Sequence, residues 1–242
     1  MKTQVLLTAF AASAMVAGSA SAAVLIDINA DNTARDASLN DFEDAMGLAA
    51  GALTGSTVTT YDLGNSTHSD PPNQSLDLTV DSIRLEVSDF SAEADNWFSG
   101  SNNLLLDDGL YMRNTPGQTT SLVTLSGTGL GLAANTTYDL YLFGGGGSNT
   151  TTFNFDPSDL SDPSGGTAVT VGPATVGDQE AATTKYTFTT GAVVPTEIVF
   201  SWADPASGGD AALTGIALVP EPGSLALLGL GGLCVLRRRR QS

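Results

Sequence analysis

The chain has 242 residues, 26 of them acidic and nine basic, for a net charge of −17 at pH 7. It carries one cysteine and one histidine. This balance disfavours nucleic acid as a partner, provides no disulfide framework and leaves no His/Cys set for zinc, so hydrophobic burial must hold the fold.

The first 22 residues have the three parts of a secretory leader. Lys2 gives a positive start, residues 5–17 are an apolar run, and Ala20-Ser21-Ala22 supplies the small residues that a signal peptidase needs. Cleavage is expected after Ala22, with Ala23 as the second choice. The span 23–218 then carries four basic residues, Arg35, Arg84, Arg113 and Lys185, against 25 acidic ones, a net charge of −21. Such a field favours solubility, repels anionic lipid and attracts divalent cations.

A strand-like run at 24–28 follows the leader directly. Asp27, Asn29 and Asp31 place oxygen ligands at alternate positions, as the start of a calcium loop does. The rest of that loop departs from the pattern. Asn32 replaces the turn glycine, Arg35 takes a ligand position, and Ser38 stands where the closing acid belongs. A structural calcium at Asp27, Asn29 and Asp31 is carried as an expectation, with Asp107-Asp108-Gly109 and the pair Asp204 and Asp210 as looser candidates. Next, Ser38 and Asp41 have the spacing of a helix cap, with Phe42, Met46 and Ala49 at helical intervals. Gly47 and Gly51 limit that helix.

From there the periodicity is that of strands. Tyr138, Leu140 and Leu142 alternate with Asp139, Tyr141 and Phe143 in the clearest run, 137–143. Shorter runs rich in Thr and Val lie at 58–61, 76–80, 83–87, 121–125, 151–155, 168–171, 184–189, 197–202 and 212–218. Clusters of Gly, Asn, Asp, Ser and Pro separate them. Strand–helix alternation does not run along the chain, so the expected fold is all-β, an antiparallel β-sandwich or jelly roll.

Residues that could do chemistry are sparse. His68 is alone in a polar loop, and no G-x-S-x-G elbow accompanies it. Among 25 acids some pair will always meet glycosidase spacing, so carboxylate separation does not discriminate. No catalytic residue is assigned, and the protein is read as non-enzymatic. Trp202 shares a strand face with Ile198 and Phe200, which marks it as core. Trp97, in polar surroundings, is the better candidate for stacking on a sugar.

The C-terminus is as patterned as the leader. Pro220, Glu221 and Pro222 precede the uncharged stretch 223–236, which is followed by Arg237, Arg238, Arg239 and Arg240. As a helix, that stretch reaches about 21 Å against a bilayer core of about 30 Å. The four arginines nevertheless rule out a buried core helix, because they must sit at headgroups on the cytoplasmic side. With the leader sending the front of the chain outward, the domain lies outside and the arginines inside. Cys234 falls within the span as a small apolar residue. The two prolines fix φ and lack donors, so residues 219–222 are expected to stay extended and outside any sheet.

This order of elements closely resembles the PEP-CTERM sorting signal. The resemblance implies an exosortase, a membrane transpeptidase-like enzyme, as processing partner. It also implies Pro220, Glu221 and Pro222 as the processing site and Arg237 to Arg240 as the membrane stop. The runs at 96–98, 104–109, 129–144 and 213–219 are similar to extracellular jelly-roll domains that often precede such a tail. The expected organisation is a leader at 1–22, a β domain at 23–218 and a sorting signal at 219–242. The expected function is that of an exported surface or matrix protein in an exopolysaccharide layer. Two alternatives stay open: a calcium-assisted carbohydrate-binding module or adhesin, and a secreted polysaccharide-active enzyme.

Overall fold

Strand periodicity in the sequence becomes two facing sheets in the computed structural model. It describes residues 22–29, 36–63, 74–90, 92–94, 103–106, 109–112, 120–144, 150–173, 178–205 and 211–221. These lie within one compact unit, Ser21–Glu221. The strands are β1 (Val24–Asn29), β2 (Thr57–Asp62), β3 (Gln74–Val80), β4 (Ile83–Phe90), β5 (Ala92–Ala94), β6 (Gly109–Met112), β7 (Ser121–Ser126), β8 (Thr137–Phe143), β9 (Thr151–Phe155), β10 (Thr167–Val171), β11 (Thr183–Thr189), β12 (Glu197–Ala203), β13 (Ala211–Leu213) and β14 (Gly215–Pro220). One helix, α1 (Leu39–Ala45), falls between β1 and β2.

The first sheet runs β11-β8-β14-β1-β2 and the second β10-β9-β12-β7-β4-β3; a third, β13-β6-β5, is small. Alternate side chains of the two large sheets meet in one core. Ile26, Leu140, Leu142, Phe188 and Ile216 come from the first sheet, and Leu85, Val123, Phe153, Phe200 and Trp202 from the second. Burying each such side chain contributes roughly 1.5–3 kcal/mol. Tyrosine hydroxyls tie the layers together: Tyr61 donates to the Ile83 carbonyl at 2.7 Å, and Tyr186 to that of Phe153 at 2.9 Å. The antiparallel sandwich expected from the sequence is therefore the observed fold.

One pairing departs from it. β1 and β2 are parallel in a register from Val24↔Thr57 to Asn29↔Asp62, joined through α1, because parallel neighbours need a crossover. The helix starts as its cap predicts. Ser38 Oγ accepts the Asp41 N–H, and the Asp41 carboxylate accepts the Ser38 N–H at 2.7 Å. The helix stops at Met46, short of the expected Ala49, with Gly47 at φ +65° just beyond. It covers the outer face of the first sheet, where Phe42 meets Phe143 edge-on at 5.5 Å. That face holds a second cluster including Leu25, Leu105, Phe143 and Ala217, so β1 and β14 are buried on both sides.

Candidate functional site

The predicted processing motif begins inside the sandwich. β14 is paired with β8 in the register Val219↔Asp139 and Pro220↔Tyr138, and the Glu221 N–H donates to the Thr137 carbonyl at 2.9 Å. The expectation that residues 219–222 lie outside any sheet is thus wrong for Val219 and Pro220. The reason is the direction of the missing donor. Hydrogen bonds to one antiparallel neighbour fall on alternate residues, so Val219 and Glu221 face β8 while Leu218 and Pro220 face β1. The β1 ladder ends at Val24↔Leu218. Pro220 therefore sits where no strand calls for its N–H, one of the few places a sheet accepts proline.

Around this strand end, the outer face of the first sheet is polar. Thr187 Oγ1 donates to Asp139 Oδ1 at 2.6 Å, Lys185 Nζ lies 3.2 Å from Asp139 Oδ2, and the Thr137 and Thr189 hydroxyls meet at 3.0 Å. The Asp139 hydrogen bond, helped by the charges of Asp139 and, last, Glu221, holds the Lys185 ammonium above its ordinary range. Lys185 also lies 6.0 Å from the Tyr141 ring centre. The start of the sandwich is adjacent: Ala23 is buried, and its backbone N–H donates to Ser56 Oγ at 3.0 Å.

Asp27 and Asn29 point to one face of β1, as residues two apart in a strand must. Asp27 is 1% exposed; its Oδ2 accepts the Ala37 N–H at 2.9 Å, and its Oδ1 has no partner. Burial, with smaller contributions from the Asp36 and Asp41 charges, pushes its carboxyl up to about 7 against the Ala37 hydrogen bond. Asn29 Nδ2 donates to Asp36 Oδ1 at 3.4 Å. Asp31 lies outside the described residues, and among the described residues no group of three His, Cys, Asp or Glu is placed to hold a metal. Asp107, Asp108, Asp210, His68 and Trp97 also lie outside the described residues.

Trp202 is buried, as its strand face required. Among the described residues every aromatic ring is buried except the half-buried Tyr141, so neither sheet presents an exposed stacking platform there. One surface cavity of about 340 Å³ is lined by two acids, Asp159 and Glu197. The Asp159 carboxylate is occupied by the Ser161 N–H and hydroxyl, and Asp27 does not line this cavity. Sequence reasoning missed Glu43, which is buried and accepts the Gly51 and Leu53 N–H groups at 2.8 and 2.7 Å to shape the turn after α1. Among the described residues no helix is long and apolar enough to cross a membrane; the predicted span 223–236 and Arg237 to Arg240 lie outside them.

Solved structures with some likeness include a family 16 carbohydrate-binding module, 20% identical, covering 55% of this chain and 84% of that one at a TM-score of 0.29. Another is the xylanase 10B CBM22-1–GH10 module pair of Clostridium thermocellum, 14% identical, covering 60% and 26% at 0.29. A third is the family 29 carbohydrate-binding module of Piromyces equi, 13% identical, covering 62% and 90% at 0.27. Scores this low say nothing of what this chain binds. No curated protein matches it. Residues 218–240 match the PEP-CTERM protein-sorting motif, which marks the protein as sorted and exported and implies an exosortase as its processing enzyme.

Proposed function

We propose that the protein is a non-enzymatic component of the cell surface or extracellular matrix. On this reading, signal peptidase removes the leader at 1–22. The span 223–236 and its arginine stop hold the chain in the membrane until an exosortase-type enzyme acts at Pro220-Glu221-Pro222. The acidic sandwich then stays in, or is released to, an exopolysaccharide layer. The match of residues 218–240 to a sorting motif carries this reading. It is supported by the −21 charge of the sandwich, which suits a hydrated exterior.

The test is truncation after Glu221, which spares every described strand pair. The shortened chain should appear in the medium without the processed C-terminus that mass spectrometry finds on the full-length protein. An unchanged cell-associated fraction would count against the sorting reading.

A further inference from the structure

We propose that the folded sandwich gates its own sorting, because the processing enzyme can engage Pro220 and Glu221 only after the end of β14 has peeled from β8. This rests on the processing role given above to Pro220-Glu221-Pro222. An enzyme that grips an extended chain does so through the backbone N–H and C=O groups of the segment, much as an added strand would. In the folded protein those groups are already committed. The Glu221 N–H bonds the Thr137 carbonyl at 2.9 Å, and the Val219↔Asp139 rung two residues earlier faces β8 in the same way. Neither enzyme nor β8 can hold these groups while the other does.

The gate has a defined depth. Leu218 is 2% exposed, in the core, and carries the last rung to β1, so peeling cannot pass it without opening the sandwich. Val219 and Pro220 are only half-buried and Glu221 is exposed, and beyond Leu218 they pair with β8 alone. The peeling unit is therefore Val219–Glu221, closed by two rungs. Ends of this kind open locally at far lower cost than the whole fold. Processing should then proceed at an intrinsic rate multiplied by the small fraction of time this end is open.

Two variants of the full-length chain test this in cells that carry the processing enzyme, with pulse-chase and mass reading conversion. The first inserts Gly-Ser-Gly-Ser between Val219 and Pro220, which frees the motif while keeping β14 through Val219. The second is Val219→Pro, which leaves Pro220-Glu221-Pro222 untouched. The Val219 N–H faces β8 at the Val219↔Asp139 rung, and the β1 ladder has already ended at Leu218, so proline there removes one donor of the gate and none to β1. One backbone hydrogen bond is equivalent to roughly a three- to tenfold change in an equilibrium. The insertion should speed processing about tenfold, and Val219→Pro about threefold. Complete processing of all three chains at rates within twofold of one another would refute the gate and leave the sorting reading intact. Slower processing of Val219→Pro, with its thermal unfolding unchanged, would also refute the gate. Failure of all three to be processed would refute the sorting reading and the gate with it.

Discussion

Replacing Asp27 with Asn should flatten the pH dependence of the sandwich's stability. The wild-type carboxyl is 1% exposed and rises from an ordinary 3.8 to about 7 on folding, chiefly through burial. At 1.36 kcal/mol per pKa unit, that rise corresponds to about 4 kcal/mol. The sign follows from the folded value being the higher. The folded state favours the protonated acid, so the contribution is fully present below pH about 4, is lost as pH rises toward 7, and stays lost above it. Asparagine keeps an acceptor for the Ala37 N–H and cannot ionise. About 3 kcal/mol of this is lost between pH 4.5 and 8, because the unfolded chain's carboxyl is already mostly ionised at pH 4.5. For a domain of this size each kcal/mol moves Tm by about 2–4 °C, so over that range the wild-type Tm should fall by about 6–12 °C relative to that of Asp27→Asn. Thermal unfolding of the two processed proteins across that range, in EDTA so that no divalent cation replaces the proton, measures this difference. Parallel curves would refute the assignment of a buried, protonatable acid under α1.

Tyr186→Phe removes the hydroxyl that bonds the Phe153 carbonyl at 2.9 Å and the Thr167 carbonyl at 3.0 Å, leaving the buried Phe153 acceptor short of a donor. Urea unfolding should show a loss of about 1–3 kcal/mol with an unchanged m-value. Gly215→Ala should cost a similar 1–3 kcal/mol, because a Cβ there would come within 2.8 Å of the Ile26 carbonyl oxygen and 2.5 Å of a Leu105 methyl. If Gly215→Ala melts like the wild type, the close approach of β14 to β1 at Asp27↔Gly215 is wrong.

Long amphipathic strands were legible in the sequence because one period repeats often enough to be seen. The run at 137–143 coincides with β8, and that at 151–155 with β9. Short or wholly buried elements were not. β6 is buried at all four positions, so it shows no alternation, and the three residues of β5 are too few to show one. The run at 212–218 breaks at Thr214, whose N–H donates to the Phe143 carbonyl at 3.0 Å and whose carbonyl accepts the Ile28 N–H at 3.1 Å. That shift sends β13 to the small sheet, which no local pattern records.

The candidate site divides in the same way. The motif at the C-terminus is chemical and could be read directly, whereas its overlap with β14 depends on where the β1 ladder stops, a long-range fact. The alternate oxygens of Asp27 and Asn29 follow the two-residue period of β1, and Asp31, the third residue of that set, lies outside the described residues. Glu43 gave no signal because its partners at Gly51 and Leu53 lie across a turn.

The first and last strands of the sandwich lie side by side, with Val24 opposite Leu218. A few residues of bridging peptide would therefore join the two ends and make the chain circular without moving a strand. New ends could then open in the turn at 191–194, where Val193 is 85% exposed. The order in which the strands are synthesised is thus separable from the order in which they pack, and a sorting tail could be carried on a different strand of the same sandwich.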